Sequence, residues 1–362
     1  MKCLDRTQAM LVDYLVETEQ VLNRLLAHDH FNGHANILTN LDLGFPHDVI
    51  RLAGGFATGI AVSWYSNIPF IPIDICMNAC TVSLYQLEGN DSAFFNKKSL
   101  QTWLGELSDS SYRINFQRGN HFVSLLEDIE DKKLYLMIHS SAAEFETMFN
   151  GLYPVEGNFF HQNTKVYYAN NRYVRYIDGI IAELYLKISD NLYQYNENRH
   201  DFFAAALLKN PERIIQSNHY HHYGMPTHQT ALLGSHLLSK GQLAPLLTRP
   251  GMNIYLIRYI DTIDNNLRIP PYFSKFITPH GWGKHHINDC RIQVDCSRGV
   301  MMLDEIEYRI KYGESLRAHP GLELRNIKSS EYFSKFSNIY DFEIAKEFRQ
   351  IASYNKSGFI NW

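Results

Sequence analysis

Histidine is the residue type whose number and grouping in this chain point to chemistry. The sequence has 17 histidines, and many of them fall in the stretches "AHDHFNGH", "SNHYHHYGMPTHQT" and "HGWGKHH". A single histidine is usually a surface or core residue, but imidazole is also the commonest neutral metal ligand and titrates near neutral pH. Several clusters in one chain therefore indicate metal or phosphate chemistry.

Two of these histidines lie at the ends of a predicted β-hairpin. In "NHFVSLLEDIEDKKLYLMIHS", His121 opens one apolar run, His139 closes a second, and a charged turn lies midway. Pairing centred on Glu130 sets His121 opposite His139, with Cβ atoms about 4.5–5.5 Å apart. Two imidazoles so placed can share a metal ion. A slip of one residue would separate them, and the pair can also be ordinary cross-strand neighbours.

A carboxylate and a thiol offer further ligands in "IPIDICMNAC". Asp74 lies in an otherwise apolar run, where a carboxylate is costly unless it is paired or binds a metal. Strand alternation places Cys76 on the same face as Asp74. Such a mixed site would fit Mn, Zn or Fe, and ligand type alone does not select among them. The alternative is that Cys76 is a buried thiol that packs as a small hydrophobe.

The stretch "QSNHYHHYGMPTHQTA" supplies additional imidazoles. At least one of its four histidines can complete a metal site with His121 and His139. The alternative is a solvated polar loop.

Composition excludes several classes of protein. The chain has 362 residues, 45% of them hydrophobic and 20% charged, which is typical of globular proteins. No apolar run approaches the roughly 20 residues of a membrane helix, and the N-terminus lacks a signal-peptide core, so we predict a cytoplasmic protein without membrane contact. The net charge of -4 argues against a basic nucleic-acid binder. Residues 249–298, with seven Lys/Arg and four Asp/Glu, are the best candidate region for binding a polyanion.

The elements that position these side chains are predicted to be mixed. Helical periodicity covers residues 8–26, and β-rich runs broken by Gly and Pro extend from about 48 to 90. A short helix and loop are expected over 94–109, two helices over 171–208, short strands after that, and a last helix over 341–353. Since no internal repeat or linker interrupts the chain, we predict one compact α+β domain over residues 1–362, with a mixed β core and peripheral helices.

Taken together, the motifs resemble those of the RtcB family of RNA ligases. The likeness spans roughly residues 46–290, and its specificity lies in the order and spacing of the motifs. In chain order the similar stretches are "DVIRLAGGFATGIAV" with "IPIDICM", "RGNHFVSLLED", "LYLMIHSS", "YNENRHDFFAAAL", "QSNHYHHYG" with "THQTALLG", and "TPHGWGKHH".

The resemblance implies an RtcB-like fold and a mechanism. Members of the family use GTP and Mn(II) to join RNA 2′,3′-cyclic phosphate or 3′-phosphate ends to 5′-hydroxyl ends, through a covalent GMP–histidine intermediate, in RNA repair and tRNA splicing. Carried over by motif, His280 is the nucleophile, and the nucleotide contacts are Asn120, Gly281, Gly283 and Lys284. The implied metal ligands are Asp74, Cys76, His121, His139 and His219. RNA ends such as tRNA halves, and an activating accessory protein, are the implied partners.

The chemistry of the implied reaction suits the stretch around His280. A histidine nucleophile needs a neutral imidazole with room for an in-line phosphoryl approach. Glycines at 281 and 283 let backbone amides come close to phosphate oxygens, and Lys284 can neutralise phosphate charge. These features are those that a nucleotidylated histidine requires.

The chain also departs from the family pattern. Met77 stands where the family has a metal-bridging cysteine, which leaves open whether one or two metals bind. Either His219 or His221 can be the last ligand, and GTP specificity and oligomeric state stay open. The alternatives are a metal-dependent phosphoesterase or nucleotidyltransferase acting on nucleic-acid ends, or an inactive RtcB-like protein that binds RNA.

Overall fold

The fold is mostly β-sheet with a few helices, as the computed structural model describes it for residues 3–113, 115, 116, 119–169, 172–269 and 272–362. The predicted α+β class is confirmed. In the described residues the helices are α1 Arg6–Leu26, α2 Val49–Ala53, α3 Lys97–Ser108, α4 Glu144–Thr147, α5 Phe159–Gln162, α6 Gly179–Ser189, α7 Leu192–Leu208 and α8 Ser329–Phe336. None of these helices is both long enough and apolar enough to cross a membrane.

The strands of the described residues follow one another closely along the chain. They are β1 His34–Gly44, β2 Thr58–Tyr65, β3 Phe70–Pro72, β4 Thr81–Leu87, β5 Phe122–Asp128, β6 Leu134–Ser140, β7 Lys165–Ala169, β8 Arg172–Asp178, β9 Ile214–His221, β10 Tyr223–Thr227, β11 Thr230–Leu233, β12 Ser235–Ser239, β13 Gln242–Leu246, β14 Ile254–Thr262, β15 Arg268–Ile269, β16 Tyr272–Pro279, β17 Lys284–His286, β18 Ile292–Asp295, β19 Val300–Leu303, β20 Ile306–Arg309, β21 Leu322–Leu324, β22 Tyr340–Asn355 and β23 Gly358–Asn361.

One large antiparallel sheet organises the molecule. Its strand order is β13-β14-β22-β5-β6-β4-β9, with β23 paired to β22. A four-stranded sheet, β1-β2-β11-β10, lies beside smaller sheets β12-β16-β15, β3-β8-β7, β18-β19-β20 and β17-β21. The largest apolar core contains residues of α1, β1 and β2. The faces of the large sheet contribute to further cores.

The first helix forms where its periodicity predicts. Asp5 caps it by accepting a hydrogen bond from the amide of Gln8, 2.9 Å away. Its apolar stripe is buried through Leu11, Leu15 and Leu22. The helix predicted over 8–26 is therefore confirmed as Arg6–Leu26.

Of two other helix predictions, one was wrong in its start and one altogether. The two helices expected over 171–208 are present as α6 and α7, but residues 172–178 form β8, and residue 171, where that prediction begins, lies outside the described residues. Residues 341–353 lie within the long strand β22. Its pairing with β14 and β5 is interrupted by bulges, for example between Gln350 and Ala352. Each bulge resets the two-residue alternation, so that the apolar spacing imitates a helix.

Helix α7 buries polar side chains against the large sheet. The Asn196 amide donates to the carbonyls of Ala79 at 2.9 Å and Ser140 at 3.0 Å. The ring of His200 bridges two hydroxyls, with Nδ1 2.7 Å from Ser83 Oγ and Nε2 2.6 Å from Ser140 Oγ. These contacts fasten the beginning of β4 to the end of β6.

The burial of His200 predicts a loss of stability in acid. Burial, reinforced by the positive charge of Arg199, holds the pKa of His200 well below its usual value. Below pH ~6.5 the unfolded chain therefore binds a proton that the folded chain does not, which costs about 1.4 kcal/mol per pH unit until the pH reaches the folded pKa. Urea unfolding measured between pH 7.5 and 5 should show that the free energy of unfolding falls less with decreasing pH for His200→Gln than for the native chain. His28, which is exposed, is the control. If the free energy of unfolding depended on pH equally in His28→Gln and His200→Gln, this account would be contradicted.

Candidate functional site

A buried cluster of one cysteine and three histidines lies where several strands of the large sheet begin or end. Cys80 Sγ is 3.2 Å from Nε2 of His139, which is 3.1 Å from Nε2 of His222. The ligand atoms of these three residues all lie within 4.8 Å of one another. His121 joins them, with Nε2 3.4 Å from Cys80 Sγ. We call these four residues the Cys80 cluster.

The register of the strands brings the cluster together. Cys80 immediately precedes β4, His139 lies near the end of β6, and His222 immediately follows β9. Because β4 runs antiparallel to both neighbours, Thr81 is opposite Ser140 on one side and His221 on the other. The beginning of one strand therefore meets the ends of two others. His121 is added by the same logic, since it precedes β5, whose Phe122 is opposite His139.

Backbone carbonyls select the form of two of the imidazoles. His121 Nδ1 lies 3.1 Å from the carbonyl of Asn115, and His139 Nδ1 lies 3.2 Å from that of Asn120. A carbonyl only accepts, so each Nδ1 carries a proton and each Nε2 presents a lone pair to the cluster. Burial, followed by the charges of neighbouring histidines, keeps the pKa values of His139 and His222 well below normal. The rings are therefore neutral, as metal ligation requires.

This donor set can hold a metal ion. In Cys80, His139 and His222, neighbouring ligand atoms 3.1–3.2 Å apart suit bonds of about 2.0–2.3 Å to one ion in their midst. Imidazole and thiolate suit zinc, iron and copper, while Mn²⁺ binds most weakly of the first-row divalent ions at a given site. Cys80, His139 and His222 together fit a divalent transition metal but do not favour manganese, and His121 lies beside them.

Asp74 and Cys76 are not part of the cluster. Asp74 forms a buried ion pair with Arg175, whose Nη2 is 2.5 Å from Oδ1. The expected strand alternation fails because residues 73–75 form a 3₁₀ turn and Cys76 is left-handed, with φ 50°. Burial raises the pKa of the Cys76 thiol, so that it stays protonated, and Met77 packs in the largest core. The cysteine that meets the histidines is Cys80.

His219 and His221 also face away from the cluster. His219 lies against Ser83, with Nδ1 2.8 Å from the hydroxyl, while His221 Nε2 is 2.7 Å from Glu197 and its ring stacks on Tyr193. Side chains alternate along a strand, so both residues point toward α7, and the next residue, His222, points the other way. The prediction located a cluster histidine in this stretch, but it selected His219 or His221, whose side chains lie on the face opposite to that of His222.

The predicted hairpin is present with a register that differs by one residue. Phe122, and not His121, is opposite His139, while Val123 is opposite Ile138. His121 and His139 nevertheless approach each other, with ring centroids 5.4 Å apart, because His121 lies directly between the turn at residues 119–120 and β5. The histidine pair is therefore real, although its predicted cross-strand geometry was wrong.

His280 lies beside the cluster and is held through one nitrogen. Its ring stacks on His222 with centroids 4.5 Å apart and an interplanar angle of 11°. Nδ1 contacts the fully buried carboxylate of Asp42 and is 3.2 Å from the carbonyl of Gly234. Because both partners are acceptors, Nδ1 carries the proton and the lone pair remains on Nε2.

Glycine 283 permits this arrangement. Its φ is +67°, and a Cβ there would lie 2.4 Å from the carbonyl oxygen of Asp42. A larger residue would displace the segment that carries the carboxylate behind His280. Gly283 was predicted to lie near a bound phosphate. In the structure it packs closely against the backbone of Asp42.

A cavity of about 360 Å³ opens in front of His280. Its lining includes all five residues that the sequence assigned to nucleotide contact or catalysis, namely Asn120, His280, Gly281, Gly283 and Lys284. Cys80, His121 and His222 reach the same cavity.

The cavity carries a concentration of cations. Lys284, Arg317, Lys356, Arg249 and Arg51 all line it. Burial, followed by the charges of Arg317 and Lys356, lowers the pKa of Lys284 to about 8. Cations crowded into a partly desolvated pocket favour an anionic ligand, since its charge relieves their repulsion.

Sequence reasoning missed Cys80 and Asp42. It counted His222 among the four candidate histidines of its stretch but assigned the ligand role to His219 or His221. Cys80 was visible in "MNAC" directly before a β-rich run. Asp42 gave no signal, because "LTNLDLG" reads as an ordinary strand.

The two buried cysteines permit a matched test of the cluster. We expect Cys80→Ser to weaken Co²⁺ binding at least about tenfold, since losing a direct ligand should cost no less than losing a residue behind one. It should also abolish thiolate-to-cobalt absorption in the near ultraviolet. Cys76→Ser should preserve both properties. Titration of chelator-treated protein followed by optical spectroscopy measures both, and an unchanged spectrum in folded Cys80→Ser protein would refute the cluster.

Two comparisons with known proteins found no match for this chain. A scan against protein-family models finds no match, and a search of curated proteins finds no significant match in sequence. The chemistry proposed for this chain therefore depends on its own residues and on the resemblance of its motifs.

Proposed function

We propose that this protein is a metal-dependent nucleic-acid ligase of the RtcB type that works through a nucleotidylated His280. The observation that carries the proposal is the contact of His280 Nδ1 with two acceptors, the Asp42 carboxylate and the Gly234 carbonyl. Asp42 and Gly234 hold its protonated Nδ1, and the Nε2 lone pair lies beside both a candidate metal cluster and a cationic cavity. A nucleophilic imidazole requires this arrangement.

The first step would be attack of His280 Nε2 on the α-phosphorus of GTP. A nitrogen–phosphorus bond forms, the bond from that phosphorus to the bridging oxygen breaks, and pyrophosphate leaves with the electron pair. The ring becomes positively charged with its proton still on Nδ1, where the Asp42 carboxylate stabilises it. Lys284 and Arg317 would neutralise phosphate oxygens.

The second half of the reaction returns His280 to its neutral form. An RNA 3′-phosphate oxygen attacks the guanylyl phosphorus, and the nitrogen–phosphorus bond breaks so that the lone pair returns to Nε2. A 5′-hydroxyl then attacks the activated 3′-phosphate, loses its proton and displaces GMP. A 2′,3′-cyclic phosphate is hydrolysed before these steps. A metal ion held by the Cys80 cluster would withdraw charge from the phosphate oxygens.

Manganese, guanine and the joining of RNA ends are the parts of this proposal that rest on the motifs alone. The Cys80 cluster has sulfur and nitrogen donors without a carboxylate, so Zn²⁺ or Co²⁺ should bind it more tightly than Mn²⁺. An assay restricted to Mn²⁺ and GTP can therefore miss the activity. All four nucleoside triphosphates and several divalent ions need to be compared.

A phosphoesterase is the second candidate, and the donor set is the observation that favours it. One zinc-type ion beside a histidine that can give or take a proton is sufficient for hydrolysis of a phosphate ester. In that case His280 would transfer a proton and would form no covalent adduct. The covalent nucleotide adduct on His280 therefore distinguishes the two functions, since only the ligase forms it.

We expect the protein to be labelled covalently by an α-³²P nucleoside triphosphate, and His280→Ala to lose the label completely because the nucleophile is absent. A denaturing gel after incubation with each divalent ion measures this. His285→Gln is the matched control, since His285 lies five residues on and faces Glu323, with Nε2 3.6 Å from its carboxylate. Label that persists in His280→Ala would refute the assignment, and a label-free native protein that cleaves phosphate esters would favour the phosphoesterase.

Asp42 should control the rate of labelling and not metal content. Asp42→Asn removes the charge behind His280 and allows the wrong tautomer, which in a comparable histidine–aspartate pair costs about 10⁴-fold in rate. We therefore expect labelling to slow at least about a hundredfold while the folded protein binds metal normally. Rapid labelling by Asp42→Asn protein would show that the Nδ1 contact does not set the tautomer.

A further inference from the structure

A second set of metal-ligating side chains lies outside the Cys80 cluster. It consists of His286, Asp304 and His319, whose ligand atoms all lie within 4.8 Å of one another. His286 ends β17, Asp304 lies in the turn between β19 and β20, and His319 follows a 3₁₀ turn at Leu316–Ala318. Three separate segments therefore converge on one point.

Two buried nitrogens at this point have a carboxylate nearby but no hydrogen bond of regular geometry. His286 Nε2 is 2.8 Å from Asp304 Oδ2, but the oxygen lies off the axis of a ring N–H, and His319 Nε2 is 3.7 Å from the same oxygen. Among the described residues neither nitrogen has a hydrogen-bond partner, although the two histidines are only 8% and 4% exposed. Buried polar atoms in proteins rarely remain without a hydrogen bond. An ion shared by the three side chains would satisfy both nitrogens.

The remaining atoms of two ligands are already oriented. Asp304 is held in a left-handed conformation with φ 55°, and its Oδ1 accepts from the amide of Arg291 at 3.0 Å, so that Oδ2 is left for an ion. His286 Nδ1 lies 2.9 Å from the carbonyl oxygen of Asn288 and 3.1 Å from its amide nitrogen, and the tautomer that donates to the carbonyl leaves the lone pair on Nε2. Metal ligands are commonly positioned by such contacts behind them.

Glycine 321 keeps the space next to His286 open. A Cβ at that position would lie 2.1 Å from His286 Nε2. The amide of Gly321 also donates to His319 Nδ1 at 3.1 Å, so ligation through His319 Nε2 requires the other tautomer. One neutral hydrogen bond is then exchanged for a metal–nitrogen bond, which is the stronger interaction.

We propose that His286, Asp304 and His319 bind a divalent transition-metal ion of the zinc type, separate from any ion at the Cys80 cluster. The nitrogen–oxygen distances of 2.8 and 3.7 Å bracket the ~3.0–3.4 Å expected between ligands about 2.1 Å from one ion. Two histidines and a carboxylate are a common donor set, and the 31% exposed Asp304 leaves room for water as a further ligand.

The position of this site connects it to the cavity. Lys284 lies two residues before His286, and Arg317 lies two residues before His319; both line the cavity in front of His280. An ion at the second site ties together the two segments that present these cations. The proposal does not depend on the ligase function.

The test uses full-length protein in which the substitutions Cys80→Ser and His222→Gln disable the first cluster. Chelator-treated protein is titrated with Zn²⁺, separated from free metal by gel filtration and analysed by mass spectrometry for bound metal. We expect one equivalent per chain. Adding Asp304→Asn or His319→Gln should weaken binding at least about a hundredfold, since the loss of a direct ligand should exceed that of a supporting residue.

His285→Gln in the same background is the matched control, because His285 is adjacent in β17 and faces Glu323. Its affinity for Zn²⁺ should stay within about twofold of the background protein, a change well below that caused by losing a residue behind a ligand. Circular dichroism verifies that each variant is folded. Failure of the background protein itself to retain metal would overturn the proposal, whatever the folding of the other variants. Equal retention by folded Asp304→Asn and His319→Gln proteins would overturn it as well.

Discussion

The site depends first on the antiparallel register of β4 with its two neighbours. Thr81 opposes Ser140 in β6 and His221 in β9, and this alone places Cys80, His139 and His222 at one edge. A slip of one residue in either pairing would turn a ligand to the opposite face of the sheet. The polar face of α7 resists such a slip, since Asn196 bridges the carbonyls of Ala79 and Ser140.

Charge is arranged asymmetrically around His280. The Asp42 carboxylate lies behind the ring, neutral imidazoles lie beside it, and the cationic cavity lies in front. A buried carboxylate is costly alone, and the carboxylate of Asp42 lies in contact with Nδ1 of His280. The same contact directs the lone pair toward the cations. A net charge of -4 is therefore no obstacle to binding a polyanion, because the local field at the cavity differs from the average.

Buried charge away from the cavity serves a different purpose. Asp74 and Arg175 pair inside the protein, and removing one partner of such a pair typically costs several kcal/mol, about 3–5, because the other charge is left uncompensated. The sequence signal at Asp74, a carboxylate in an apolar run, was correct in requiring a partner. It could not distinguish an arginine from a metal ion, since both satisfy a buried carboxylate.

The sequence by itself determined the α+β class, the first helix, the β-hairpin and the proximity of His121 to His139, because periodicity and clustering are local properties of a chain. Tertiary structure alone decided that Cys80, and not Cys76, meets the histidines, that His222, and not His219, faces them, and that Asp42 stands behind His280. Each of these depends on a backbone detail that the sequence leaves open: a 3₁₀ turn, the parity of a strand, or the approach of a segment more than two hundred residues away. Long-range register, and not composition, selects which of several equivalent side chains meet.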